Sequence, residues 1–244
     1  MLISHSHRFI FFHVAKTAGL SVREALQPYA EEPTEFKIKR PPRTKAGQPN
    51  PFYTVWEALL THAKASDAQK ELPTDIFEGY FKFAFVRNPW DWQVSMYHFI
   101  LSEPTHVKHG LVKSLGSFER YLDWVIATPN PFAKGATKLQ KEAIADADGN
   151  LLVDFVGRYE TLAQDFAQLC QRLNIAARLP HINKSAHHDY RAYYNDHTHQ
   201  QVADYFADDI SLFGYRFENY SLMPNNNRSY YHNEFSTTAR WSIS

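Results

Sequence analysis

Two segments of this chain follow the same plan, in which an apolar run ends at a polar turn and a helical pattern follows the turn. The first segment covers residues 9–21 and the second covers residues 81–97. A short apolar run bounded by a turn is typical of a buried strand in a parallel sheet. The backbone N–H groups at the start of the following helix can bind an anion. The pair of segments therefore predicts an α/β fold with two anion sites at strand ends.

The turn of the first segment carries a lysine, a glycine and two hydroxyl side chains. The lysine and the backbone N–H groups of such a turn can surround a phosphate-like group. The glycine permits a close approach of the backbone to a ligand. The predicted ligand-binding residues of this turn are Lys16, Thr17, Ala18, Gly19, Leu20 and Ser21.

The second segment ends its apolar run at Arg87. An arginine can form paired, charge-assisted hydrogen bonds with a phosphate. Asn88 and Pro89 supply an N-cap and a first-turn proline for a helix that carries Ser95, whose hydroxyl would join Arg87 at the same phosphate. The alternative role of Arg87 is an ion pair with Asp91. Two separated anion sites suit a ligand with two separated anionic groups.

The rest of the chain alternates between strand and helix patterns. This alternation predicts a three-layer α/β/α domain with a mainly parallel central sheet. Residues 1–220 would form this single domain, and residues 221–244 a polar tail. The predicted strands are 8–14, 80–86 and 151–156, and the predicted helices are 21–26, 63–72, the one after Pro89, 117–126, 161–173 and 198–213, the last ending at Gly214.

Composition limits which partners and which cellular compartment are expected for the protein. The 244 residues are 44% hydrophobic, enough for one domain with a sizeable core. Lys+Arg and Asp+Glu number 26 each, so no overall charge favours nucleic acid as a partner. Cys170, in an amphipathic helical pattern, is expected to be buried and reduced, which suits the cytoplasm. No signal peptide and no apolar run of about 18 residues is found, so no transmembrane segment is expected.

Both segments resemble motifs of the sulfotransferases that use 3′-phosphoadenosine 5′-phosphosulfate, in particular the carbohydrate O-sulfotransferase branch. In that family a Pro-Lys-Thr-Ala-Gly-Thr-Ser type loop holds the 5′-phosphosulfate. An Arg-Asn-Pro-Trp-Asp segment followed by Val-Ser-x-Tyr holds the 3′-phosphate. The resemblance covers roughly residues 8–217, and further matches in the family's order are residues 60–63, 153–160, 183–185 and 212–215. It implies a P-loop-NTPase-like sulfotransferase fold in a soluble, bacterial-type member, because Golgi relatives carry a membrane anchor.

The sequence departs from the family pattern at three places. Ala15 stands where proline is common, and Leu20 stands where threonine or serine is common. The backbone N–H survives at Leu20, but a hydroxyl contact to the 5′-phosphate is lost. Trp92-Gln93 replaces an Arg-Leu type pair, so a contact near the second anion site is expected to differ.

The resemblance implies in-line transfer of a sulfuryl group to a carbohydrate hydroxyl, with 3′,5′-ADP as the product. Lys16 would stabilise the charge that develops on the oxygen between phosphate and sulfate. His62 would be the general base, with His13 and Glu57 as alternatives. The triplet Asn183, Lys184 and Ser185 would lie beside the nucleotide.

Some residues near these motifs remain open to two interpretations. Arg158 would either approach the cofactor or substrate, or pair with Glu160. The basic, proline-rich segment 31–51 would be a surface loop, solvated or facing an anionic acceptor. Aromatic side chains could stack on a sugar or could serve core packing, and the candidates are Trp56, Tyr97 and Trp124.

The thirteen histidines do not predict a metal site. Neither the adjacent pair His187-His188 nor the pair His197 and His199 has the spacing of metal ligands on a helix. We expect no catalytic metal. Two other functions remain as alternatives, a nucleotide-dependent phosphotransferase and a non-catalytic nucleotide-binding module. The absence of a Gly-x-x-x-x-Gly-Lys-Ser/Thr loop counts against a kinase.

Overall fold

The structure is a computed structural model that describes residues 1–31, 62–132, 136–180 and 189–218. Its sheet has the strand order β1-β2-β3-β4. β1 pairs with β2 in the antiparallel sense, whereas β2, β3 and β4 are parallel neighbours. The strands are β1 Leu2–Ser4, β2 Phe9–Phe12, β3 Phe81–Val86 and β4 Phe155–Arg158.

Helices lie on both sides of this sheet, which confirms the predicted three-layer α/β architecture with a mainly parallel sheet. In the described part of the chain they are α1 Gly19–Leu26, α2 Ala65–Glu71, α3 Thr74–Gly79, α4 Pro89–Ser102, α5 His109–Leu115, α6 Phe118–Ala127, α7 Lys141–Ile144, α8 Leu162–Leu173, α9 Asp196–Tyr205 and α10 Ala207–Phe213.

Side chains alternate along each strand, so every strand contributes to both faces of the sheet. Both faces are buried. Ile10 and Phe12 belong to an apolar cluster with Ala65, Ala68 and other residues of α2, α3 and α7. Phe9 and Phe11 belong to a second cluster, which contains Val22 and Leu26 of α1 and Phe166 and Leu169 of α8. A third cluster joins α4 to α5, α6 and α9 beyond the sheet. This packing fixes α1 and α4, the two helices that follow the predicted anion sites.

Most of the predicted elements are confirmed. The helix predicted over 117–126 is α6, and the side chain of Ser117 accepts a hydrogen bond from the backbone N–H of Arg120, as expected of an N-cap. Cys170 is buried in α8, as predicted. The helix predicted over 63–72 is α2, which ends before Pro73.

The strand predicted over residues 151–156 is wrong in its position. Leu151 forms only an isolated bridge with Ala145, across a turn in which the Asp146 carboxylate accepts backbone hydrogen bonds from Asp148 and Asn150. β4 begins four residues later, at Phe155. Residues 151–153 are apolar because they pack against the cluster beneath α2 and α7, and not because they belong to the sheet.

The single helix predicted over residues 198–213 is also wrong, because the structure has two helices there. Phe206 leaves the helical conformation at φ −101°, ψ 20° and separates α9 from α10. Asp208 and Asp209 stand in the first turn of α10, where negative charge favours a new helix start. The predicted end at Gly214 is confirmed, with φ 63°.

Four of the named elements have no counterpart in the sequence prediction, namely β1, α3, α5 and α7. Other predictions fall outside the described residues, and these concern segment 32–51, Trp56, Glu57, the triplet at 183–185, His187-His188 and the tail 221–244. Among the described residues, none of the helices has the length and apolarity that a membrane crossing requires.

Candidate active site

The two predicted anion-binding turns lie next to each other. β2 and β3 are parallel neighbours whose last pair is Phe12 with Ala84, so both chains leave the sheet at the same edge. The guanidinium of Arg87 donates from Nη1 to the main-chain oxygen of Lys16 over 3.3 Å. The structure therefore brings the lysine turn and the arginine turn into direct contact.

The lysine turn has an unusual backbone conformation. Lys16 and Ala18 have φ of 63° and 61°, which is uncommon for residues other than glycine. The hydroxyl of Thr17 donates to the oxygen of Val14 over 2.9 Å, and the indole of Trp92 donates to the oxygen of Ala15 over 2.7 Å. These bonds hold the turn, and they commit the proton of the Thr17 hydroxyl to the protein itself.

The N-terminus of α1 faces this turn with its backbone donors. Ala18 is the N-cap, and no described side chain caps the helix. The first N–H groups of a helix have no partner within the helix, so they are suited to bind an anion. Leu20 is 66% exposed, and its apolar side chain has no hydrogen-bond donor, so only its backbone N–H is suited to bind an anion. Ser21 is buried in the first turn of α1.

Gly19 is tightly packed against a side chain of the protein. A Cβ atom at this position would lie 1.8 Å from Cδ2 and 2.0 Å from Nε2 of His13. The sequence suggested that the glycine leaves room for a ligand. The structure gives a second reason for a glycine at position 19, since the imidazole of His13 fills the space that a side chain would occupy.

Lys16 extends from the turn toward α4. Its Nζ lies 4.1 Å from the ring centroid of Phe99. Burial lowers the pKa of Lys16 from 10.5 to about 8, the positive charge of Arg87 acts in the same direction, and Glu103 opposes them. An anion bound beside Lys16 would stabilise its charged form and so oppose this lowering of the pKa.

Arg87 is almost completely buried, with 3% of its surface exposed. Its Nε donates to Oδ2 of Asp91 over 2.7 Å, so the alternative ion pair that the sequence allowed is present. The guanidinium carbon lies 3.9 Å from the ring centroid of Tyr159. The side chain is thus fixed by a carboxylate, an aromatic face and the Lys16 carbonyl.

The N-terminus of α4 is bound by Glu160, which lies two residues after the end of β4. The side chain of Asn88 caps the helix by accepting from the N–H of Trp90 over 3.0 Å. The carboxylate of Glu160 accepts from the N–H of Asn88 and from the hydroxyl of Tyr215. Arg158 instead donates to the oxygen of Phe213 over 2.5 Å. The two predicted partners, Arg158 and Glu160, therefore bind different groups.

Ser95 lies on α4 between Asp91, which contacts Arg87, and Phe99, which contacts Lys16. Residues four apart on a helix share a face, and Asp91, Ser95 and Phe99 have this spacing. The first of the three contacts Arg87 and the last contacts Lys16. Ser95 is buried.

His62 lies against the end of β2. Its Nδ1 is 3.0 Å from the main-chain oxygen of His13, and the two imidazole rings are 4.6 Å apart at an angle of 43°. A carbonyl oxygen can only accept, so Nδ1 of His62 carries the proton and Nε2 is the basic nitrogen of the neutral ring.

His13 itself is a buried, neutral imidazole. Burial lowers its pKa well below 6.5, and the charges of His62, the chain's amino terminus and Arg23 act in the same direction. Because burial favours the neutral form of its ring, His13 is poorly suited to take up a proton. Glu57, the third candidate, lies outside the described residues.

Other residues that the sequence singled out serve packing. Tyr97 and Trp124 pack against the cluster around α4 and α6, and His199 stacks on Trp90 with the ring centroids 5.6 Å apart. Within the described ranges, no three His, Cys, Asp or Glu side chains are grouped as metal ligands would be. That the protein uses no metal stays a prediction.

Sequence reasoning missed three contacts of the site. Tyr159 stood in a stretch that matched the family, but nothing indicated that it stacks on Arg87. Phe99 could have been found from its spacing, eight residues after Asp91 on the same helix. Trp92, noted as a departure from the family, binds the backbone of the lysine turn.

This chain is similar to several known proteins. A family model described as the sulfotransferase family matches residues 1–216. A protein of Archaeoglobus fulgidus described as uncharacterized is 28% identical over 125 residues, which are 48% of this chain and 87% of that protein. The crystal structure of mouse sulfotransferase SULT7A1 complexed with PAP is similar with a TM-score of 0.46 and 13% identity, over 86% of each chain.

Proposed function

Since the chain belongs to the sulfotransferase family, we propose that it transfers a sulfuryl group from 3′-phosphoadenosine 5′-phosphosulfate to a hydroxyl group of a carbohydrate. The observation that carries this proposal is the hydrogen bond from Nη1 of Arg87 to the oxygen of Lys16. It joins the Arg87 side chain to the backbone of the lysine turn, so the two cationic residues at adjacent strand ends lie close together. A donor that carries a phosphosulfate and a separate 3′-phosphate has the complementary charges.

The chemistry of the lysine turn fits the 5′-phosphosulfate. Lys16, the hydroxyl of Ser21 and the backbone N–H groups of residues 17–21 would bind it at the start of α1. Because Leu20 offers only its N–H group, the backbone would contribute more to binding of the 5′-phosphosulfate than in relatives with a hydroxyl side chain at this position. Arg87 and Ser95 would bind the 3′-phosphate, and Asn183, Lys184 and Ser185 would lie beside the nucleotide.

Lys16 would assist the departure of the sulfuryl group. When bound, the donor supplies an activated sulfuryl group; the sulfur–oxygen bond to the 5′-phosphate breaks as the bond to the acceptor oxygen forms. The ammonium of Lys16 would stabilise the charge on the departing oxygen, which becomes part of 3′,5′-ADP. Its contact with Phe99 would hold the ammonium in place between turnovers.

His62 would take the proton from the acceptor hydroxyl. Its Nδ1 donates to the His13 carbonyl, so the tautomer with a basic Nε2 is set before the acceptor binds. A base positioned in this way typically contributes about 10²- to 10⁴-fold to a rate. The carbohydrate nature of the acceptor is supported by the sequence pattern around the two turns.

A binding experiment tests the donor site. We expect adenosine 3′,5′-bisphosphate to raise the melting temperature of the protein, and ATP with magnesium to have little effect. The Lys16→Met variant should lose most of the response, whereas Lys113→Met, at an exposed position of α5, should keep it. Stabilisation by ATP with magnesium but not by the bisphosphate would support a phosphotransferase instead.

A transfer experiment tests the reaction and the base. With radiolabelled sulfate on the donor and a panel of sugars, we expect label in at least one sugar. Lys16→Met should abolish the transfer, and His62→Gln should lower kcat by about 10²-fold or more while nucleotide affinity is kept. Binding without transfer to any hydroxyl acceptor would indicate a non-catalytic module. Full activity of His62→Gln would rule out His62 as the base and make Glu57→Gln the next variant.

A further inference from the structure

We propose that Gln140 is a positioning residue for Arg87, and that through Arg87 it sets the preference of the site for a nucleotide with a 3′-phosphate. This inference rests on the proposed function, because it concerns how the proposed donor is recognised. Gln140 lies just before α7, at a distance in sequence from both turns, and no motif drew attention to it.

The backbone of Arg87 needs a partner that the sheet does not supply. The last pair between β3 and β2 is Ala84 with Phe12, and the last pair between β3 and β4 is Val86 with Arg158. Arg87 follows both, so its N–H and C=O groups lie beyond the ladders while the residue is buried. A buried backbone group without a hydrogen bond is strongly disfavoured.

The side-chain amide of Gln140 satisfies both groups at once. Its Oε1 accepts from the N–H of Arg87 over 2.8 Å, and its Nε2 donates to the oxygen of Arg87 over 2.7 Å. Gln140 is 2% exposed. The amide therefore takes the place of a neighbouring strand at the residue where the strand ends and the arginine side chain begins.

Gln140 is in turn held by Asp209 of α10. The carboxylate of Asp209 accepts from the N–H of Gln140 over 2.6 Å and from the N–H of Lys141 over 2.9 Å. Asp209 is 1% exposed. A continuous chain of buried hydrogen bonds thus runs from α10, through the start of α7, to the backbone of Arg87.

This chain completes the immobilisation of Arg87. Asp91 and Tyr159 fix the guanidinium, and Gln140 fixes the backbone from which it extends. A preorganised binding group loses little freedom when its ligand binds, whereas a displacement of about 1 Å can weaken recognition greatly. Loss of the Gln140 bonds should therefore reduce the contribution of the 3′-phosphate and leave the lysine turn unaffected.

The test compares two nucleotides that differ by that phosphate. The dissociation constants of adenosine 3′,5′-bisphosphate and adenosine 5′-monophosphate are measured by calorimetry for the wild type and for Gln140→Met, which keeps the length of the side chain but cannot form the two bonds. We expect the ratio of the two constants to fall at least tenfold in Gln140→Met, with the constant for the monophosphate changed less than twofold. Gln140→Asn, whose side chain is too short for its amide to reach Arg87, should show the same change. It replaces Gln140→Met in the experiment if that variant does not fold.

A matched control removes a buried hydrogen bond elsewhere. Thr198→Val breaks the capping box of α9, so it should lower stability without changing the ratio. An unchanged ratio in both Gln140 variants, or an equal loss of affinity for the two nucleotides, would overturn the role of Gln140 alone. A wild type that does not distinguish the two nucleotides would overturn the proposed donor site itself, and with it this inference.

Discussion

The ammonium of Lys16 lies over the ring of Phe99, 4.1 Å from its centroid. Phe99 belongs to α4, whereas Lys16 belongs to the turn before α1, so the contact joins the two halves of the candidate site. A cation over an aromatic face gains about 0.5–1 kcal/mol at a partly exposed position. We therefore expect Phe99→Leu to lower the rate of sulfate transfer about two- to fivefold, measured as kcat with saturating donor.

The prediction concerns the aromatic ring of Phe99 and not only the size of its side chain. Phe99→Tyr keeps the aromatic face and should retain the wild-type kcat within twofold. Equal losses in the leucine and tyrosine variants would contradict a role of the ring in holding Lys16.

Lys16 should cost the protein stability in the absence of ligand. Its pKa falls from 10.5 in the unfolded chain to about 8 in the folded protein, so the unfolded chain binds the proton more tightly. The cost is complete below pH 8 and is relieved as the pH rises from 8 to 10.5. We expect Lys16→Met to raise the free energy of unfolding by about 1–3 kcal/mol at pH 7, a rough range from the linkage relation.

The pH dependence distinguishes this cause from a gain in packing. The advantage of Lys16→Met over the wild type should shrink between pH 8 and pH 10, measured by urea unfolding. Lys113→Met, at an exposed site, should show no such trend. A gain that is constant across this range would indicate that the charge of Lys16 is not responsible.

The neighbourhood of Lys16 and Arg87 could be predicted because it follows from sequence and sheet geometry alone. Each residue ends an apolar run, and the ends of adjacent parallel strands meet at one edge of the sheet. The buried faces of α6 and α8 could be predicted as well, because apolar residues at helical spacing indicate which side of a helix is buried.

Contacts that depend on how distant elements approach one another could not be predicted. Gln140 and Tyr159 contact Arg87 although they lie 53 and 72 residues away in the sequence, since the segment before α7 and the end of β4 lie beside the end of β3 in the fold. Residues 151–153 misled the strand prediction because an apolar segment that covers a cluster resembles one that joins a sheet. The break at Phe206 was missed because the apolar spacing continues through it, while the backbone does not.

His13 should make the protein sensitive to acid. Its pKa lies well below 6.5 in the folded protein, chiefly because the ring is buried, whereas the unfolded chain takes up a proton near pH 6.5. Stability therefore falls as the pH drops below 6.5, by about 1.4 kcal/mol per pH unit from this group. In His13→Phe this loss should be absent, measured as the free energy of unfolding between pH 7 and pH 5. His197→Gln, at an exposed position, should keep the wild-type slope, and an identical slope in His13→Phe would show that His13 does not cause it.

Gly19 and His13 should be coupled in stability, because a Cβ atom at position 19 would lie 1.8 Å from the imidazole. Gly19→Ala alone should cost about 1–3 kcal/mol through overpacking. In the His13→Ala background the contact with the imidazole is gone, and the same change should cost at least about 1 kcal/mol less. Gly110→Ala in α5, where a Cβ meets nothing within 4 Å, is the control and should stabilise in both backgrounds. A double-mutant cycle from urea unfolding measures the coupling, and a value near zero would mean that the helix start moves aside to accept the methyl group.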